Sequence, residues 1–173
     1  MQTLQTAAFL NLIVTRMHRP GPFLVIVPLS TITHWHREFS SWTDLNIIVY
    51  HGSAEDRKTM RHKEFAFPVD CPSGGVGLNQ LYLKKCAGSK TGGPWMVQVV
   101  ITTPEMLVAD DANELEAVNW EVLVVDEAHR LKNHNSKLAV TLRKGCFKFH
   151  HKILLTGTPI QVRDRVFFLF RKN

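Results

Sequence analysis

The sequence predicts an α/β fold in which a parallel β-sheet carries helices on both faces. Short apolar runs alternate along the chain with segments of helical periodicity, which is the pattern of strands joined by helical crossovers. The run FLVIVP at residues 23–28 is apolar almost without interruption, as expected of a strand that is buried on both faces. A length of 173 residues and a hydrophobic content of 45% suit one domain with a sizeable core.

Five segments have the composition and length of strands, and helices are predicted between them. The predicted strands are residues 23–28, 46–52, 95–103, 120–125 and 151–156. The predicted helices are residues 2–17, 30–42, 104–118 and 136–144, with one more that begins after Ser53. Asp56 follows Ser53 by three residues, which is the spacing of a capping box. Within 30–42, Trp35 and Trp42 lie on the apolar helical face, so both are expected in the core rather than stacked on bases.

Residues 66–94 break the alternation of strands and helices. This segment is rich in Gly, Pro and Ser, which favours a long surface loop. Loops of this length are uncommon inside a compact domain, so the segment is expected to be functional, disordered or an insertion.

Charge is distributed unevenly along the chain. Residues 1–127 carry 10 Lys/Arg and 14 Asp/Glu, whereas residues 128–173 carry 11 Lys/Arg and a single acid, Asp164. A basic segment of this kind is typical of a surface that binds a polyanion, and a solvated helix face is the alternative.

Several classes of protein are disfavoured. The three cysteines are widely spaced and form no CxxC pair, which argues against a zinc site and against a disulfide framework and favours a reducing, intracellular compartment. The N-terminal stretch lacks the charged region of a secretory signal. The longest apolar run, FLVIVPL, is far shorter than the ~20 residues of a membrane span, so no membrane is expected as a partner.

Polar motifs follow four of the predicted strands. PLS follows the first strand, TTPE the third, DEAH the fourth and TGTP the fifth. In parallel α/β sheets ligands bind beyond the carboxyl ends of the strands, so these motifs are expected to meet at one edge. Four motifs at the same edge predict a functional site there.

Asp126 and Glu127, which end the run VLVV, are the candidate catalytic acids. In a Walker B arrangement the first carboxylate holds Mg²⁺, usually through water, and the second orients or activates the attacking water. Two solvated acids at a strand end are the alternative. His129 completes DEAH and is predicted to link the nucleotide site to the loop TGTPIQ. The candidates in that loop for bonding the carboxylates or His129 and sensing the γ-phosphate are Thr156, Thr158 and Gln161, and with Gly157 they are the candidate nucleotide-coupling residues.

Five segments of the chain are GPFLVIVPLSTITHWHREFSSW, NIIVYHGS, ITTPEML, VLVVDEAHRLKNHNSKL and KILLTGTPIQ. Together they resemble a known family, the chromodomain-helicase-DNA-binding type of chromatin remodelling ATPase within the superfamily 2 helicase-like ATPases. They occur in the family's order and cover nearly the whole chain except residues 66–94 and the part after Gln161. RNA helicases of the DEAD and DEAH groups usually have Ser-Ala-Thr where this chain has Gly-Thr-Pro.

The resemblance implies a RecA-like fold, the first of two helicase lobes, with ATP and Mg²⁺ as cofactors. It also implies double-stranded DNA and nucleosomes with their histones as partners, and the nucleus as the compartment. Residues that match the family's DNA-contacting motifs are Pro28, Leu29 and Ser30, followed by the stretch from Thr102 and Thr103 to Glu105. Basic residues expected near DNA phosphates are Arg130, Lys132, Lys137, Arg143 and Lys144.

The family's phosphate-binding loop, GxGKT, does not occur in this sequence. The resemblance therefore implies a partial helicase ATP-binding domain over residues 1–173, whose sheet lacks its first strand and phosphate loop. Met1 is then expected to be an internal methionine of a longer protein, and the second lobe with its arginine finger is also missing. We expect the isolated chain to hydrolyse ATP feebly or not at all. The alternatives are a short, non-catalytic product that binds DNA or a partner, and another helicase-like DNA translocase of repair or transcription.

Overall fold

A five-stranded sheet forms the centre of the computed structural model, which describes residues 2–65, 97–109, 113–116, 118–132, 136–143 and 147–157. The strand order is β2-β3-β1-β4-β5, and every pairing is parallel. This confirms the predicted α/β class with a parallel sheet. The strands are β1 Phe23–Ile26, β2 Ile47–Tyr50, β3 Val99–Thr102, β4 Asn119–Val125 and β5 Lys148–Leu154.

Helices pack on both faces of the sheet, as predicted, and each face has its own core. Phe23 and Val25 of β1 point into one core, and Leu24 and Ile26 point into the other, because successive side chains of a strand alternate. The first core is closed by α1 Gln2–Met17 and α2 Ile32–Trp42. The second is closed by α3 Ala54–Met60, α4 Pro104–Leu107, α5 Asn113–Glu116 and α6 Lys137–Arg143.

Several details differ from the prediction. Trp42 is 60% exposed, so its expected place in the core is wrong, whereas Trp35 is buried. Strand β5 begins at Lys148, three residues before the predicted start, and its first half is largely exposed. The predicted helix 104–118 is described as two short helices, α4 and α5, while residues 110–112 and 117 lie outside the described residues. The predicted loop 66–94 also lies outside them.

The start of α3 contains the predicted capping box. The Ser53 hydroxyl accepts a hydrogen bond from the backbone N–H of Asp56 at 3.2 Å, and the Asp56 carboxylate accepts from the backbone N–H of Ser53 at 3.0 Å. These reciprocal bonds satisfy two N–H groups that an isolated helix end leaves without partners. The helix that follows β2 is therefore fixed at its first residue. Among the described residues, no helix is both long and apolar enough to cross a membrane.

We predict that Ser53→Ala lowers the free energy of unfolding by about 1 kcal/mol, because the cap loses its side-chain acceptor. Urea denaturation followed by circular dichroism measures this change. Ser41→Ala is the matched control, since Ser41 lies exposed within α2 and alanine is the better helix former there. An equal loss of stability in both variants would contradict a specific role for the Ser53 cap.

Candidate functional site

The carboxyl ends of the strands form one row across the sheet. Ile26 of β1 pairs with Thr102 of β3 and with Val125 of β4. The row continues to Tyr50, which pairs with Thr102, and to Leu154, which pairs with Val125. Because the strands are parallel, the segments that follow this row leave the sheet at the same edge. The structure thus brings together the motif segments that begin at Pro28, Thr102, Asp126 and Thr156.

Asp126 is held at this edge through its backbone and both carboxylate oxygens. Its backbone N–H donates to the carbonyl of Ile26 at 2.8 Å. The Trp35 indole Nε1–H donates to Oδ2 at 3.0 Å, and the backbone N–H of Glu127 donates to Oδ1 at 2.8 Å. These two donors leave each carboxylate oxygen with acceptor capacity, since an ionised carboxylate offers about four lone-pair sites.

Burial raises the pKa of the Asp126 carboxyl above its ordinary value of 3.8, because the surrounding protein disfavours a charge that water would stabilise. The hydrogen bonds from Trp35 and from the Glu127 backbone oppose this shift, as does the proximity of His34. The negative charge of Glu127 adds to it. The net increase in pKa means that the folded protein carries this carboxylate at a cost in stability at neutral pH.

Glu127 adopts an unusual backbone conformation beside Asp126. Its φ of +50° lies in the left-handed region, which costs a residue other than glycine about 1–3 kcal/mol and is found preferentially at functional sites. Its carboxylate Oε2 lies 2.9 Å from Nδ1 of His129, and these two side chains are 45% and 44% exposed. Glu127 therefore differs from Asp126 in being open to solvent and in contact with the histidine of DEAH.

The turn of DEAH is also attached to the end of β5. The backbone N–H of Ala128 donates to the carbonyl of Leu155, and the N–H of Leu155 donates to the carbonyl of Val125, both at 2.8 Å. The predicted coupling residues Thr156 and Gly157 follow directly, and Thr156 is buried. Thr158 and Gln161 lie outside the described residues.

The candidate DNA-contacting segments differ in exposure. Leu29 is 57% exposed and Ser30 is also exposed, in a 3₁₀ turn that spans Leu29–Thr31. Thr102 and Thr103 are both fully buried. The Thr102 hydroxyl donates to the carbonyl of Tyr50 at 2.8 Å, so this side chain links β3 to the neighbouring strand β2. The turn after β1 is thus the more accessible of the two segments.

The basic residues predicted near DNA phosphates are described only in part. Lys137, the first residue of α6, is exposed, and Arg143, at the end of that helix, is exposed as well. The side chains of Arg130 and Lys132 and the whole of Lys144 lie outside the described part of the chain. The segment Ala128–Lys132, a 3₁₀ helix, begins immediately after Glu127.

A divalent cation at this edge would depend on ligands besides protein side chains. Within the described residues, no group of three or more His, Cys, Asp and Glu side chains could enclose a metal ion. Mg²⁺ is usually bound by one or two carboxylates, with water and substrate phosphates in the remaining positions. Asp126, with acceptor capacity on both oxygens, fits that kind of site and does not fit a structural metal cage.

The sequence predicts the burial of Trp35 but not its hydrogen bond to Asp126. A buried indole N–H needs an acceptor, and this requirement was the available signal. Trp120, the other fully buried tryptophan described, satisfies it with the backbone carbonyl of Leu115 at 2.9 Å. The helical spacing predicted the burial of Trp35, but the carboxylate acceptor lies 91 residues away in the sequence.

We predict that Asp126 makes the folded state less stable as pH rises from below 3.8 towards neutrality. The folded-state pKa is raised, so the unfolded state loses this proton first, and stability falls until pH exceeds the folded pKa. In urea denaturation without divalent cations, the stability of Asp126→Asn relative to the unsubstituted chain should therefore increase with pH. Asp44→Asn, at an exposed position, controls for the loss of one negative charge. The prediction is wrong if the relative stability of Asp126→Asn is constant or falls over this range.

Comparisons with known proteins identify the family of this chain. A family model described as the SNF2-related domain matches residues 1–168. Chromodomain-helicase-DNA-binding protein 6 of Rattus norvegicus is 44% identical over 161 residues, and Chromodomain-helicase-DNA-binding protein 8 of Homo sapiens is 42% identical over 160 residues. Each match covers 92% of this chain and 5% of the relative, so the chain spans about one-twentieth of the length of these relatives.

A solved structure is similar as well. The Sulfolobus solfataricus SWI2/SNF2 ATPase core in complex with dsDNA matches with a TM-score of 0.63 and 27% sequence identity. The match covers 94% of this chain and 26% of that one. The parallel sheet has the RecA-like fold of this ATPase core, and the resemblance to chromodomain-helicase-DNA-binding proteins is confirmed. The chain belongs to the SNF2-related domain family of chromatin remodelling ATPases.

Proposed function

We propose that this chain is the first RecA-like lobe of an ATP-dependent DNA translocase that acts on chromatin in the nucleus. The arrangement of Asp126 and Glu127 at the carboxyl edge of the sheet is the observation that carries the proposal. ATP and Mg²⁺ are the proposed cofactors, and double-stranded DNA and nucleosomes the proposed partners. We interpret residues 1–173 as part of a helicase ATP-binding domain with an insertion at 66–94.

The two acids are suited to different parts of ATP hydrolysis. Asp126 is fixed in orientation by Trp35 and by the Glu127 backbone, as a ligand to hydrated Mg²⁺ must be. Mg²⁺, when bound, neutralises charge that develops on the phosphates. Glu127 is more exposed and can accept a hydrogen bond from the attacking water and then its proton. His129, 2.9 Å from Glu127, is placed to hold that carboxylate in position.

Hydrolysis by the isolated chain is proposed to be weak. No Gly-Lys-Thr sequence occurs in the 173 residues, so the chain has no glycine-rich loop of the kind that holds the β- and γ-phosphates. A test of the acids therefore needs a context that contains such a loop. The resemblance implies a GxGKT loop in the rat relative, so the context is a chimera in which this chain replaces the matching 161 residues of that relative.

In this chimera we predict that Glu127→Gln lowers the rate of DNA-stimulated ATP hydrolysis by at least about 100-fold, since general base catalysis typically contributes 10²–10⁴. The affinity for ATP should stay within about threefold, because the amide keeps the size of the carboxylate and Asp126 is unchanged. Phosphate release and binding of a fluorescent ATP analogue measure the two quantities.

Glu121→Gln is the matched control for this variant. Glu121 lies in β4, the strand that precedes Glu127, at the end away from the carboxyl edge, where its 13% exposed side chain pairs with Arg19 at 2.8 Å. It should leave the rate of hydrolysis unchanged. If the unsubstituted chimera shows no hydrolysis, the proposed function is wrong for this chain. If Glu127→Gln retains its rate, the assignment of the catalytic acid is wrong.

DNA binding is proposed to involve the exposed turn after β1 and the basic segment after Glu127. Contacts to phosphates are sequence-independent and release counterions, so each contributes to the salt dependence of binding. Lys137 is exposed at the start of α6, and Lys132 ends the 3₁₀ helix that follows DEAH. The solved neighbour contains dsDNA, which supports DNA as the ligand of this lobe.

We predict that Lys132→Glu and Lys137→Glu each weaken binding of duplex DNA by this chain and reduce the slope of log K against log salt by about 1. Fluorescence anisotropy at several salt concentrations gives the slope. Lys58→Glu is the control, because it makes an equal change of charge at an exposed position of α3. This helix follows β2, which lies at the opposite edge of the sheet from β5. A slope that falls equally in all three variants would indicate a general effect of net charge and not contacts at this segment.

A further inference from the structure

The stretch from Ile26 to Trp35 is hydrogen-bonded to Asp126 at both of its ends. At one end the carbonyl of Ile26 accepts from the backbone N–H of Asp126 at 2.8 Å. At the other end the indole Nε1–H of Trp35 donates to the Asp126 carboxylate at 3.0 Å. The chain between these points therefore forms a closed ring of covalent and hydrogen bonds that starts and finishes at one residue.

The chain segment between the two ends of this ring is short and is constrained by further hydrogen bonds. The N–H of Val27 donates to the carbonyl of Thr102 at 2.9 Å, which holds the start of the ring on the sheet. The carbonyl of Pro28 accepts from the N–H and the hydroxyl of Thr31, at 2.9 Å and 3.0 Å, which closes the turn. Helix α2 follows at once and carries Trp35 on its first turn. Because of these bonds, a displacement of the turn is expected to move Trp35 as well.

The outermost part of the ring is exposed, and its inner end is not. Leu29 is 57% exposed at the turn, whereas Trp35 is 1% exposed and packs against Phe39 with ring centroids 6.1 Å apart. A ligand can therefore contact the turn directly, whereas the indole ring is shielded from it. The ring connects a surface that a large ligand can touch to a carboxylate at the candidate nucleotide site.

Satisfying a buried donor does not by itself require a carboxylate. Trp120 shows this, because its indole N–H donates to the backbone carbonyl of Leu115. The acceptor of Trp35 is instead the side chain of Asp126, a residue that burial already makes costly to ionise. A donor to the ionised acid offsets part of that cost and selects one orientation of the carboxylate.

We propose that Trp35 is a positioning residue that transmits a displacement of the Pro28–Thr31 turn to the carboxylate of Asp126. Duplex DNA bound at the turn thereby changes the orientation of this carboxylate. This inference rests on the proposed function, which supplies both the DNA and the role of the acid. Trp35 acts through Asp126 and does not touch the substrate.

The test follows the Asp126 carboxyl carbon by NMR in this chain, labelled with ¹³C at aspartate carboxyl groups and titrated with a short duplex of mixed sequence. Asp126→Asn identifies the resonance. Two substitutions remove the donor, namely Trp35→Phe and the replacement of Trp35 by benzothienylalanine, which keeps the shape of indole but has sulfur in place of N–H. Trp42→Phe is the matched control, since Trp42 lies exposed at the end of the same helix.

In the unsubstituted chain and in Trp42→Phe we expect duplex DNA to shift the Asp126 resonance. In both Trp35 variants the shift should be lost, while the affinity for DNA, measured by anisotropy, stays within about threefold. The benzothienylalanine variant separates the donor from packing, so the result does not depend on the folding of Trp35→Phe. A merely structural tryptophan would not remove the response to DNA while leaving DNA binding intact.

Two results would overturn the inference, and they are distinguishable from a failure of the proposed function. Binding of DNA to the unsubstituted chain without a shift at Asp126 contradicts the inference alone, as does a shift that persists in the benzothienylalanine variant. Absence of DNA binding in the unsubstituted chain contradicts the proposed function and removes the inference with it.

Discussion

Parallel pairing of β1 on both of its edges is the constraint on which the rest of the structure depends. Phe23 to Ile26 are 0% exposed, and each pairs with a residue of β3 and a residue of β4. Successive side chains of β1 enter opposite cores. A slip of one residue would therefore move each side chain to the opposite face, away from the helices it packs against. The register is therefore strongly specified, and with it the row from which every segment of the candidate site departs.

This constraint gives two adjacent acids different environments. The backbone of Asp126 is still bound to β1, so its side chain stays beside the sheet, where Trp35 and the Glu127 N–H hold it. The chain turns at Glu127 with a positive φ, and that carboxylate emerges beside His129. Two adjacent carboxylates therefore have different hydrogen-bond partners at the same edge of the sheet. The difference arises from where the strand ends, since the two residues are chemically alike.

The sequence was sufficient to predict the class of fold and the edge at which the motifs meet. Apolar runs indicate the strands, and parallel connection then fixes which strand ends coincide, so the sequence alone predicts that Pro28, Asp126 and Thr156 lie at the same edge. The predicted burial of side chains was wrong at Trp42, because helical periodicity shows which face a residue lies on but not how deeply it is buried. Trp42 has the helical spacing of a core residue, yet it is the last residue of α2 and lies mostly in solvent.

Other features depended on contacts between distant parts of the chain. The first half of β5 is polar and largely exposed, so no apolar run marked its start, and pairing with β4 alone makes it a strand. The bond between Trp35 and Asp126 joins residues of two different elements that meet only after the sheet has formed. Local patterns identify such residues separately, and only the packing of α2 on the sheet shows that they form one unit.

The turn of DEAH is held from both of its neighbours in the sheet. On the side of β1, Ile26 and Trp35 bind the backbone and the carboxylate of Asp126. On the side of β5, the backbone N–H of Leu155 donates to the carbonyl of Val125, and the carbonyl of Leu155 accepts from the N–H of Ala128. Segments matched to DNA contact and to coupling of the lobes thus reach the same few residues by hydrogen bonds of about 3 Å or less. Because hydrogen bonds of this kind weaken steeply when bent, a shift of either segment must move the backbone of this turn or break a bond. The turn of DEAH is therefore constrained from both sides by hydrogen bonds made where the strands end.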